Sequence, residues 1–359
     1  MFNLNDNKKD KNLIKKDIDQ LKLGMKIGRD IESKFGGVLI SEGTILDNNK
    51  IIQLKKLNIS SISVHNEEQS QIDENLKRIE NINQGYKKNK DEMKSMFKKI
   101  RNDNEIEYKR VRDLTYEVTT LGNDDDIMSL LTRVRDADEY TYSHLLNVGM
   151  LAYLFSNWLN LEEEDSIKLT QAGLLHDMGK AKIPDKILNK PGELTSEEYE
   201  EIKKHSEYGY NMSKDHKNIP DKVSQGILTH HERFNGDGYP LGIKGEKIPF
   251  FGRILAIVDT FDAITSDRIY QPSNSPFKAI KLFHEETFGA FDYELVNLFL
   301  DKIPNYFVDE KVQLNDGREA TVVFINSRKP HKPIVNVNED YIDLSNNSTI
   351  KIKKLINEK

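Results

Sequence analysis

Leu174-Leu175-His176-Asp177-Met178-Gly179-Lys180 is the stretch on which the fold turns. An apolar run ends abruptly in a histidine and an aspartate, two ligand-type side chains that project about 100° apart on a helix or straddle its end. His230-His231 repeats the arrangement further along, while His144 and His205 stand singly in other helical stretches. Each of these five histidines lies in or at the end of a predicted helix, where side chains converge on the middle of a bundle. Asp259 completes the set within the largely apolar helical stretch Ile254–Ile264. An unpaired buried carboxylate there would cost on the order of several kcal/mol, and a metal ion removes that cost. The chain has no cysteine, so any transition metal must be held by nitrogen and oxygen. His144, His176, Asp177, His205, His230, His231 and Asp259 suit Fe, Mn, Zn or Co in a two-metal site of the kind that acts on phosphoryl groups. A lone helical histidine is more often a satisfied core or surface residue, and His65, His216, His284 and His331 are read that way.

Working outward, the pattern is predominantly helical from about Ile127 to Pro304. Leu145, Val148, Ala152, Phe155 and Leu159 step along one face, and Thr195 with Glu198 has the form of a capping box opening the helix that carries Ile202 and His205. After Pro304 the signal changes to alternation: Val312 and Leu314, a turn at Asn315-Asp316-Gly317, then Ala320, Val322 and Phe324. Ahead of the helical core, residues 19–66 read as a small module with a turn at Gly36-Gly37 and strands at Val38–Ile40 and Ile59–Val64. Between them the chain is charged, with Ile72, Leu76, Ile79, Met93, Met96, Phe97 and Ile100 in helical steps. That stretch reads as a solvated connector or a dimerising coiled coil, although no strict heptad persists. The expected organisation is a mainly α protein: an accessory module at 1–66, a charged helical linker at 67–124, a helical-bundle core at 125–305 and a small β-rich module at 306–359.

Composition narrows the function. A chain of 359 residues exceeds what one hydrophobic core usually supports. Its apolar runs, such as Met150–Phe155, fall far short of the roughly 18 residues that span a bilayer. Met1 to Asn12 is polar and charged, unlike a secretory signal, so a cytoplasmic protein is expected. The net charge of −6 argues against broad, sequence-independent grip on a nucleic-acid polymer. A small anionic ligand held by a few local cations remains compatible with it.

With these residues in view, the chain resembles the HD-GYP phosphodiesterases, a branch of the HD metal-dependent phosphohydrolases, across roughly residues 125–305. Tyr140-Thr141-Tyr142-Ser143-His144, the Leu174–Lys180 stretch, Ile187–Leu194, His230-His231-Glu232, Asn235-Gly236-Asp237-Gly238-Tyr239-Pro240 and Val258–Arg268 carry the resemblance. It implies an HD-type helical bundle that hydrolyses cyclic di-GMP through attack by a hydroxide shared between two divalent ions, Fe or Mn. The alternatives are another cyclic dinucleotide, such as cyclic GMP-AMP, and a catalytically silent receptor. The resemblance also implies His144, His176, Asp177 and Asp259 on one ion and His205, His230 and His231 on the other, with Asp177 bridging. Lys180 and Arg268 would contact phosphate, and Tyr239 with Pro240 would line the substrate. Gln271 departs from the basic residue many members carry there. Some members with three metals carry a glutamate where this chain has Tyr140, and Glu139 lies one residue off that face. Two ions, and linear pGpG as the product, are therefore expected.

Overall fold

The computed structural model describes residues 13–32, 38–46, 50–51, 54–55, 59–66, 69–103, 105–121, 127–128, 131, 140–266, 275–286, 289–338 and 340–356. The chain divides into two compact units: Met1–Gln84 with Phe307–Asn326 and Lys332–Lys359, and Gly85–Tyr306 with Ser327–His331. The two end modules expected to be separate therefore fall within one unit. The expected Gly36-Gly37 turn lies outside the described residues.

In the first unit β1 (Leu13–Asp17) pairs antiparallel with β4 (Ser61–His65), and β2 (Ile31–Glu32) with β3 (Val38–Ile40). Alternation along β4 turns Ile62 and Val64 inward, where they join Ile27, Leu46 and Leu54 in a small core. The tail forms an antiparallel sheet from β5 (Lys311–Leu314), β6 (Glu319–Phe324), β7 (Ile334–Val337), β8 (Asp340–Asp343) and β9 (Ile352–Leu355), in the order β8-β7-β6-β5-β9. Val312 stands opposite Ala320 across the expected turn. Both are buried.

The second unit is helical and begins before the expected core. Within α1 (Gln69–Asp103) the residues from Gly85 onward belong to it, and Tyr86, Met93, Met96, Phe97 and Ile100 are buried. Helix α2 (Tyr108–Thr119) buries Val111, Leu114, Thr115 and Val118, a stripe at helical spacing that packs on α3 (Tyr140–Trp158) and α4 (Glu163–Leu175). Much of the charge that suggested a solvated connector lies on the outward faces, where Arg110 pairs with Glu92 at 3.3 Å, although Lys90 is buried. A linker spanning the whole of 67–124 is thus replaced by two packed helices over 85–119.

Helix α3 is the centre of the bundle. Leu145, Val148, Ala152 and Phe155 are fully buried as their spacing implies, but so are Leu146, Met150 and Leu154. A helix apolar all round belongs in an interior. After α4 come a 3-10 turn at Met178–Lys182, α5 (Asp185–Leu188), α6 (Ser196–Lys203), α7 (His205–Ser213), α8 (Asp221–Thr229), α9 (Phe250–Thr265), α10 (Pro276–Lys281), a π-helical turn at Leu282–Glu286 and α11 (Tyr293–Lys302). Thr195 and Glu198 form the expected capping box. The helix it opens stops at Lys203, and His205 starts the next one. Among the described residues no helix is long and apolar enough to cross a membrane.

Candidate metal centre

Helix ends deliver most of the candidate ligands. His176 caps the C-terminus of α4 and Asp177 follows at φ −102°, ψ 4°, in the sparsely populated bridge region. His230 caps α8 in the same way, and His205 is the first residue of α7. His144 and Asp259 instead sit inside α3 and α9. Gly179 makes the assembly possible. A Cβ there would lie 1.9 Å from the His205 carbonyl oxygen and 2.6 Å from the Gly209 nitrogen. Only glycine lets the 3-10 turn lie against α7, and that contact sets Asp177 beside His205.

The seven side chains form two groups whose ligand atoms lie within 4.8 Å of one another: His144, His176 and Asp259, and Asp177, His205, His230 and His231. Asp177 reaches both. Its Oδ2 lies 3.5 Å from Nε2 of His144 and of His176, while its Oδ1 lies 3.1 Å from His205 Nε2 and 3.9 Å from His230 Nε2. Asp259 Oδ1 is 3.1 Å from His144 Nε2, and its Oδ2 is 3.8 Å from His231 Nδ1.

The hydrogen bonds around the rings test whether cations fit. Nδ1 of His176, His205 and His230 lies 2.7 Å from the carbonyl oxygens of Gly173, Ile202 and Ile227. A carbonyl only accepts, so each Nδ1 carries a proton and Nε2, the nitrogen left to offer a lone pair, turns inward. Those lone pairs then face each other: His205 and His230 Nε2 are 3.2 Å apart, as are His176 and His144 Nε2. Asp177 Oδ1, fully buried, has no hydrogen-bond donor among the described residues. Lone pairs crowded this way repel, and the residues fit divalent cations of the nitrogen and oxygen class.

Electrostatics agree with ligands poised to bind. Burial, reinforced by neighbouring imidazoles, pushes His230 and His231 well below the usual imidazole range, keeping them neutral. Burial works to raise the Asp177 carboxyl, but the Lys180 ammonium beside it holds it well below the usual range. Asp177 remains a carboxylate.

Lys180 makes an ion pair with Asp177 Oδ2, so its ammonium lies beside the carboxylate that reaches both groups. Tyr239 lies against His231 with ring centroids 4.7 Å apart at an interplanar angle of 33°, and Lys203 Nζ sits 5.6 Å over the Tyr239 ring. Burial raises the Tyr239 phenol, which stays protonated. Pro240 follows through a cis peptide bond and is half-buried. Gly238 is needed for close approach: a Cβ there would lie 2.3 Å from the Arg233 nitrogen. Arg268, Gln271 and Glu139 lie outside the described residues, as does the side chain of Tyr140.

Several residues that hold the centre carried no role in the sequence reading. Asp262 Oδ2 accepts from His144 Nδ1 at 2.7 Å, Asp262 Oδ1 accepts from Asn147 Nδ2 at 3.0 Å, and Asn147 Oδ1 accepts from the Tyr86 hydroxyl at 2.8 Å. All four residues are buried. Glu232 Oε1 accepts from the backbone nitrogens of Leu241 and Gly242 at 2.6 and 3.2 Å, tying the loop carrying Tyr239 and Pro240 to the histidine pair. The available signal was polarity in apolar company: Asn147 lies between Leu146 and Val148, and Asp262 between Phe261 and Ala263.

A helical bundle gathering paired histidines and aspartates in its interior is the architecture of an HD domain, and residues 128–295 match the family model of that description. Residues 128–295 thus form an HD domain, and the motifs around His230-His231 and Tyr239-Pro240 resemble those of its HD-GYP branch. It is 36% identical over 245 residues to cyclic di-GMP phosphodiesterase PA4108 of Pseudomonas aeruginosa, covering 68% of this chain and 59% of that protein. It is 33% identical over 176 residues to 3'3'-cGAMP-specific phosphodiesterase 2 of Vibrio cholerae, covering 49% of this chain and 34% of that one. The chain thus spans less than two thirds of either relative. Bd1817, an HDG"Y"P protein from Bdellovibrio bacteriovorus, shares the fold at a TM-score of 0.51 and 16% identity, over 81% of this chain and 99% of its own.

Proposed function

We propose that this chain is a metal-dependent phosphodiesterase that opens cyclic di-GMP to linear pGpG. The observation that carries the reading is Asp177, buried between two groups of imidazoles with one oxygen toward each. Two divalent ions, Fe or Mn, held there would supply a water ionised near neutral pH and neutralise charge on the phosphoryl oxygens. His144, His176 and Asp259 would hold one, His205, His230 and His231 the other, and Asp177 both. Lys180 is placed to exchange its pairing with Asp177 for a phosphate oxygen. Tyr239 offers a ring, and a hydroxyl that burial keeps as a donor, on the substrate side, with Pro240 beside it. Arg268 is assigned a second phosphate. A messenger substrate places the domain in the cytoplasm. Dimerisation through 67–124 would use the part of α1 ahead of Gly85, since Tyr86, Met93, Met96, Phe97 and Ile100 are already buried within the chain.

The kinship to both cyclic di-GMP and 3'3'-cGAMP enzymes makes cyclic GMP-AMP the second reading. Anaerobically purified protein loaded with Fe(II) or Mn(II) should convert cyclic di-GMP to pGpG faster than it opens 3'3'-cGAMP, with GMP slow to appear. Faster cGAMP turnover would transfer the assignment to that substrate. Binding without turnover would make the chain a receptor.

A further inference from the structure

Besides the two groups of the centre, His284, Glu285 and His331 bring ligand atoms within 4.8 Å of one another. His284 and Glu285 are neighbours on the π-helical turn Leu282–Glu286, and His331 ends Ser327–His331, the part of the β6–β7 connection that belongs to the second unit. Glu285 Oε1 is 3.0 Å from His331 Nε2, and the two imidazole centroids are 5.2 Å apart at an interplanar angle of 44°. His331 is buried, while His284 and Glu285 face solvent. Phe283 anchors the turn between them by packing on Phe291 and Phe299 at 5.2 and 5.6 Å.

Adjacent residues on an α-helix diverge by about 100° and seldom serve one ion. The π-turn, closed by i→i+5 bonds, is wider, so neighbouring side chains diverge less, and such turns recur at functional sites. Lys281 Nζ lies 3.7 Å from Glu285 Oε2, on the other oxygen of the carboxylate, so Oε1 is left toward the imidazoles. Two imidazoles and one carboxylate form a donor set that borderline divalent cations favour, with water free to complete the shell.

We propose that His284, Glu285 and His331 form a second cation site, separate from the centre, for a divalent ion of the zinc class, which fastens the 327–331 segment to the π-turn. It does not depend on the phosphodiesterase reading. The test counts zinc bound by the full chain in metal-buffered solution, alongside Tm. His284→Ala and Glu285→Gln alter exposed side chains, so the fold should survive. Each should bind one equivalent fewer than the parent protein at zinc concentrations that saturate it, or bind it at least about tenfold more weakly. Each should also lose a zinc-dependent rise in Tm. The double variant His205→Ala/His230→Ala should keep that equivalent, so damage to the centre and to this site read separately. Equal zinc stoichiometry and affinity in the parent and both single variants would overturn the proposal.

Discussion

His144 and the trio His176, His205 and His230 present the same Nε2 atom to the same centre, yet they are held in opposite ways. The trio sits at or just past helix C-termini, where the last carbonyls fall outside the regular helical ladder, and each Nδ1 takes one of those carbonyls three residues back. His144 lies inside α3, where the carbonyls are spent on the helix itself. Its Nδ1 is held instead by Asp262, 118 positions away, and through it by Asn147 and Tyr86. A ligand oriented by its own backbone cannot be loosened by substituting a neighbouring side chain. One oriented by a side-chain relay can be, at every link.

Asp177→Ala should have the largest effect, because it removes the carboxylate both groups share. Hydrolysis should be abolished, and metal analysis should show ions lost from both groups. Near-normal turnover with full metal occupancy would break the two-group picture itself. Asp262→Ala comes next: loss of such an outer partner costs roughly 10–100-fold in metal affinity or activity. Its counterpart, Ile202→Ala, keeps the carbonyl that holds His205 and should leave affinity, read by chelator competition, within about twofold. Equal losses in both variants would show that backbone and side-chain tethers do not differ.

Glu232→Ala should act on the substrate rather than the ions. It releases two backbone donors of the exposed Leu241-Gly242 segment to water, a net loss of about 0.5–1.5 kcal/mol per hydrogen bond. KM should rise roughly tenfold with metal content unchanged, a tenfold change corresponding to about 1.4 kcal/mol. Loss of metal instead would place Glu232 among the supports of the centre.

The same contrast explains what the sequence could convey. His176-Asp177 and His230-His231 were legible because the devices that orient them are local: an apolar helix, its end and the adjacent pair. Even His205, which alone reads as a surface residue, was recoverable from its company. The relay was not, since Tyr86, Asn147 and Asp262 meet only after α1, α3 and α9 have packed. For the same reason residues 85–119 read as a connector. Their charge shows in composition, whereas the buried stripes of α1 and α2 acquire meaning only against α3 and α4. The end modules were each legible as β-containing, but nothing local in either announced that they share a compact unit.

Tyr86→Phe is the smallest and sharpest test, since it deletes one hydroxyl at the far end of the relay and keeps the ring that fills the interior. Tyr86 is 2% exposed, so no bulk water stands ready to replace the lost donor to Asn147 Oδ1. A hydrogen bond of this kind contributes about 0.5–1.5 kcal/mol, and part of that is felt as lost stability rather than as misplacement of His144. Metal affinity should therefore fall by only about threefold, well short of Asp262→Ala. The relay makes a further demand that simple destabilisation does not. Once Asp262 is gone, the Tyr86 hydroxyl has no route to His144, so Tyr86→Phe should weaken metal binding no further in the Asp262→Ala background. Additive losses in the double variant would mean that Tyr86 supports the fold of α1 against α3 without orienting the ligand.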